Sequence, residues 1–219
     1  MKITDLKSQE WYAYTNKVRP GDIVAVVESG FVTRLASRLI LPATEFFHFI
    51  IIADYISHEN DFVILESIPS HGVAVGRLSW YLGKTINIYR PSRERVLMSD
   101  ILENERAGCH LTPEEMGRRA VWQATAHGRS GYDYVLCAQI AYRVLSRCLR
   151  NWMKGRGFTV HFTEIPRTGR GGLWCTELVD EAYDGLYPVL DRDYEALPSN
   201  FIYQYLDGYL DYVCGWPGK

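Results

Sequence analysis

The chain has 219 residues and a mass of 25.2 kDa, with 47% hydrophobic residues, 23% charged residues and a net charge of −2. That balance excludes a disordered, collagen-like or acidic solvating chain, and the length suits one sizeable core better than two equal domains. A sequence pI near 6.3 gives no global pull towards nucleic acid.

Met1 to Pro20 carries Lys2, Asp5, Lys7, Glu10 and Lys17 and no apolar run of signal-peptide length, so a cytoplasmic location is expected. Arg19-Pro20-Gly21-Asp22 is a turn feeding Ile23 to Val27, a β-branched run that reads as a buried strand. Phe31 to Leu41 has helical spacing and is stopped by Pro42. Phe46 to Ala53 and Phe62 to Ser67 read as two strands of an antiparallel hairpin, with polar Ser57 to Asp61 between them. Val73 to Val75 and Thr85 to Tyr89 are two further short strands.

The second half turns helical. Thr112-Pro113-Glu114-Glu115 sets an N-cap, a proline at the first helical position and a capping-box glutamate in order. The helix buries Met116, Ala120, Val121 and Ala124 and stops before Gly128. Tyr134 to Asn151 reads as a second amphipathic helix, with Leu136, Ile140, Val144, Leu145, Cys148 and Leu149 towards the core and Arg143, Arg147 and Arg150 opposite. A sheet followed by helices, without strict alternation, predicts an α+β fold.

Cysteine usage points to the chemistry. Cys109, Cys137, Cys148, Cys175 and Cys214 are odd in number and none forms a C-x-x-C pair, so reduced thiols are expected. After the glycines of 169–172, Cys175 opens a helical period in which Leu178, Val179 and Ala182 share its face. A cysteine at a helix start meets unpaired amides and a partial positive charge, which favour thiolate. A small core cysteine is the commoner occupant of such a position. A thiol nucleophile also needs a base and a group to orient it. Six histidines compete, and His48 alone falls within an apolar strand, where an unpartnered imidazole is costly. Glu66 is likewise an isolated charge in the next apolar run. A five-residue loop of 55–59 joining strands 46–54 and 60–68 would set His48 directly opposite Glu66. A loop one residue longer or shorter would put them on opposite faces.

The chain resembles the circularly permuted NlpC-type papain-like hydrolases, in particular the YiiX/YaeF-like group. The resemblance rests on Arg19-Pro-Gly-Asp-Ile-Val, Phe47-His48-Phe49-Ile50, Val63 to Ser67, Gly131-Tyr132-Asp133-Tyr134, Trp174 to Val179 and Leu197 to Phe201. It implies one papain-like domain over 1–219, with a core of about 19–206, a helical insertion around 112–170, and a small antiparallel sheet packed against helices. By that resemblance Cys175 is the nucleophile, His48 the general base and acid, and Glu66 the orienting third member. Tyr132, Trp174 and Phe47 would line the substrate cleft, although the family has a small residue where Phe47 stands.

The expected activity is a cysteine amidase or peptidase acting on a short peptide of cell-wall type. Alternatives are a lipid acyl hydrolase or acyltransferase using the same thiol, and a non-catalytic binding module. No cofactor, metal or nucleic-acid partner is expected, since histidines and cysteines show no zinc-ligand spacing. Membrane contact through the arginine face of 143–150 is a lesser reading than a solvated helix face, and the oligomeric state is open.

Overall fold

The turn at Arg19–Asp22 delivers the chain into β1, Ile23–Val27, which sits at the centre of a six-stranded antiparallel sheet. The computed structural model describes residues 16–27, 46–69, 71–92, 111–128, 130–132, 152–156, 175–184 and 204–216, and the single positions 142, 146, 149, 173, 186 and 201. The strands that follow are β2 (Phe46–Ile56), β3 (Asp61–Ile68), β4 (Gly72–Arg77), β5 (Ile86–Pro91) and β6 (Leu210–Trp216). Their spatial order is β4-β3-β2-β1-β5-β6. A short 3-10 turn, Leu78–Tyr81, follows β4. Among the described residues helices α1 (Pro113–Ala126) and α2 (Cys175–Tyr183) pack with the sheet in an α+β architecture.

Both sheet faces are covered, which is why β1 reads as an unbroken apolar run. Ile23, Ala25, Phe49, Ile51 and Leu65 pack with Met116, Ala120 and Ala124 of α1 and Leu178, Val179 and Ala182 of α2. Val24, Val26, Ile50, Ile52, Ile64, Ile86 and Ile88 form a second core with Leu78 and Cys214. The capping box predicted for α1 is present, with Thr112 accepting from the Glu115 amide and Glu115 accepting from the Thr112 amide. The Phe31–Leu41 helix lies outside the described residues, as does most of Tyr134–Asn151. Within the latter, Leu149, expected in the core, is 45% exposed, whereas Ser146 is buried.

The hairpin corrects the expected register. The strands run to Ile56 and restart at Asp61, so the turn spans four residues, with Asn60 in the left-handed region at φ 51°. Pairing begins as Ile56 with Asp61 and Tyr55 with Phe62, then slips by one residue between Ile52 and Asp54. Ile50, not His48, therefore stands opposite Glu66. Without the bulge at Ala53, Glu66 would face Ile51, whose side chain belongs to the helix-side core. The extra residue restores the parity that puts His48 and Glu66 on one face, two positions apart along β2.

The turn before β1 is anchored by charge. Arg90 donates through Nε and an Nη to the two carboxylate oxygens of buried Asp22, each at 2.7 Å. Asp22 also accepts the Arg19 amide at 2.8 Å. Such a bidentate pair, with its remaining lone pairs used, fixes geometry as well as charge. The Arg-Pro-Gly-Asp segment is thus a structural clamp between β1 and β5.

Candidate active site

Cys175 is the first residue of α2 and faces the helix-side core, 5% exposed, with Leu178, Val179 and Ala182 on the same side as their spacing predicts. Its approach is stitched to the sheet. The Leu173 amide donates to the Gly131 carbonyl at 2.9 Å, the Val73 amide donates to the Ser130 carbonyl at 3.0 Å, and Ser67 Oγ donates to the Leu173 carbonyl. Residues at the β3–β4 end therefore hold the start of α2 in place. Tyr132, half-buried, lies in the strip of chain that makes these bonds. Trp174 and the side chain of Phe47 lie outside the described residues.

His48 is placed by a second irregularity. β1 and β2 pair Val26 with His48 but Val27 with Phe46, so Phe47 is an extra residue. Phe46 is thereby turned to the helix-side core, while His48 keeps the parity of Ile50 and lies beyond the last β2–β3 pair, Ile50 with Glu66, at the end of that ladder. Bulges of this kind re-aim side chains next to functional sites. His48 Nε2 is 2.8 Å from Glu66 Oε2, and the Glu66 side chain is only 2% exposed. Cys175 acts on the same ring, and its influence favours the protonated imidazole. The three residues expected from the sequence thus meet, although by diagonal rather than direct cross-strand contact.

A fourth member has no counterpart in the sequence reading. The Tyr81 hydroxyl donates to Glu66 Oε2 and lies 3.1 Å from His48 Nε2. Its ring stacks on the imidazole, with centroids 5.6 Å apart and planes at 27°. Tyr81 ends the 3-10 turn after β4, and no local pattern marks it, because its contacts depend on how that turn folds back over β3. Lys84 Nζ sits 5.1 Å from the centre of the Tyr81 ring.

The electrostatics favour a charged imidazole. Burial alone would push His48 down, but hydrogen bonds to Cys175 and Glu66 and the charges on those groups outweigh it, raising the pKa to about 9. Because the folded value lies above the ordinary 6.5, the stability this adds is complete below pH 6.5 and is lost as pH rises through about 9. Urea midpoints measured across that window are expected to fall more steeply for the native protein than for His48→Gln. Parallel curves would contradict the assignment. Cys214 behaves differently: burial, aided by Asp22, pushes its thiol up to about 11.

The other described histidines lie elsewhere, His58 beside Glu59 in the hairpin turn, His71 in the turn before β4 and His127 at the C-cap of α1. Neither Cys175 nor Cys214 is joined in a disulfide. Among the described residues no three His, Cys, Asp or Glu side chains gather as a metal site, and no helix is long and apolar enough to cross a membrane. No protein-family model matches the chain, and no curated protein matches it either. The chemistry of the site has to be read from its own geometry.

Proposed function

We propose that this protein is a cysteine hydrolase of the amidase or peptidase type, working through Cys175, His48 and Glu66 on a permuted papain-like α+β core. The observation that carries the reading is the His48 ring bonded at 2.8 Å to buried Glu66, with Cys175, first residue of α2, among the groups that hold the imidazole's charge. A thiol, an imidazole and an orienting carboxylate in that order form the arrangement that activates a sulfur nucleophile.

The Cys175 thiolate adds to an amide carbonyl carbon, and amides in the first turn of α2 supply donors for the oxyanion. The His48 imidazolium gives its proton to the departing nitrogen, the C–N bond breaks, and a thioester remains on Cys175. Neutral His48 then takes a proton from water as its oxygen adds to the thioester carbon. The C–S bond breaks, the acid leaves, and the thiolate–imidazolium pair is restored. Glu66 keeps the ring oriented throughout. The substrate proposed is a short peptide of cell-wall type, on the strength of the family resemblance.

Selective alkylation tests the nucleophile. Cys175 and Cys214 are equally buried, each 5% exposed, so access does not separate them. Iodoacetamide at pH 6.5–7 followed by peptide mapping is expected to label Cys175 well ahead of Cys109 and Cys214. Equal labelling would remove the nucleophile from the proposal. A panel of peptide amides and acyl esters then separates amide hydrolysis from lipid acyl chemistry, and turnover of esters alone would displace the peptide substrate.

A further inference from the structure

The Glu66 carboxylate sits in a space that two other residues define. Both His48 Nε2 and the Tyr81 hydroxyl meet Oε2. On the other side, a Cβ built on Gly76 would fall 2.6 Å from Glu66 Oε1 and 3.0 Å from the Trp80 ring. Gly76 pairs with Ile64, one diagonal step from Glu66 on the same face. A glutamate carries three side-chain torsions, so burial between strands does not by itself aim its carboxylate. Here the aim is set by a hydroxyl on one oxygen and by the missing side chain beside the other.

We propose that Tyr81 is a positioning residue for this site, its hydroxyl holding the Glu66 carboxylate against His48 while Gly76 leaves the room that carboxylate needs. The inference rests on the reading of Cys175, His48 and Glu66 as one catalytic unit. Tyr81 acts twice. The hydroxyl shares Oε2 with His48, which fixes the acceptor, and the stacked ring limits rotation of the imidazole. The charged and titratable groups facing His48 are Cys175 from α2, Glu66 from β3 and Tyr81 from the 3-10 turn, with Lys84 behind the Tyr81 ring. Deprived of the hydroxyl, the buried carboxylate loses a donor and swings away from the imidazole. That weakens its support for the imidazolium.

The test uses Tyr81→Phe, Gly76→Ala, Glu66→Gln and the double variant Tyr81→Phe/Glu66→Gln. Two readouts apply: the His48 titration followed by NMR, and the pH dependence of Cys175 alkylation by iodoacetamide. Tyr81→Phe keeps the ring and is expected to lower the His48 titration by about half a pH unit or more. It is expected to slow alkylation at pH 7 while leaving the rate near pH 10.5 unchanged, because ordinary thiols are ionised there. Gly76→Ala retains the hydroxyl and is expected to produce the same downward shift. In the Glu66→Gln background Tyr81→Phe should add nothing, since it acts through that carboxylate. An unchanged or raised His48 titration in Tyr81→Phe overturns the proposal, as does an equal effect in the Glu66→Gln background. A normal titration in Gly76→Ala removes Gly76 from it. Failure of the catalytic reading looks different: the native protein would itself show an ordinary His48 titration and unselective labelling.

Discussion

Replacing His48 by alanine is expected to slow alkylation of Cys175 at pH 7 by about tenfold or more, and to slow turnover of an amide substrate by about a thousandfold. The two numbers differ because they measure different duties of one ring. An unassisted thiol with a pKa near 8.5 is about 3% ionised at pH 7, which sets a loss of roughly thirtyfold against a fully formed ion pair. Part of that is recovered because a more basic thiolate is intrinsically more nucleophilic. In the mechanism proposed above hydrolysis suffers more, since there His48 also protonates the leaving nitrogen and later deprotonates water. The alkylation difference should vanish well above pH 9, where the imidazolium has gone in the native protein as well. Glu66→Gln should fall between the two, because an amide oxygen still accepts from Nε2 but brings no charge. A His48→Ala protein that alkylates and turns over like the native chain would remove the imidazole from the chemistry.

Gly117→Ala is expected to destabilise the protein by about 2 kcal/mol, measured as a lower urea midpoint. Helix propensity argues the other way, since alanine in place of glycine inside a helix is worth about 1 kcal/mol. Packing decides the sign. A Cβ at Gly117 would lie 2.4 Å from the Pro20 carbonyl oxygen and 3.4 Å from Gly21 Cα. Neither neighbour can yield easily. The Gly21 amide donates to the Ile52 carbonyl at 2.8 Å, the Gly21 carbonyl accepts the Tyr183 hydroxyl, and Asp22 is clamped by Arg90. Gly21 has φ +91°, so the turn has little backbone freedom to spare. A variant as stable as the native protein, or more so, would mean that the turn and α1 can part without cost.

Much of this site was legible in the residues themselves. His48 and Glu66 stood out because each is a polar group inside an apolar strand, where burial without a partner is costly. Cys175 stood out because it begins a helical period after glycines. The thing that misled was register. Two extra residues, Phe47 and Ala53, decide which side chains share a face, and nothing about either residue announces a bulge. The expected opposition of His48 and Glu66 reached the right pair through the wrong turn. β6 carries no strand signal for a related reason: at the sheet edge it is only partly buried, and its residues lack a clean alternation.

The sequence by itself determined five of the six strands, the capped helix α1, the helix start at Cys175 and the two polar residues that needed partners. These follow from local rules, namely period-two and period-3.6 patterns, capping and the cost of buried polar groups. Only the tertiary structure decided the face on which His48 emerges, the meeting of Tyr81 with Glu66, and the close approaches at Gly76 and Gly117. Those depend on register and on where separate segments touch, and both are settled by packing between residues far apart in the chain.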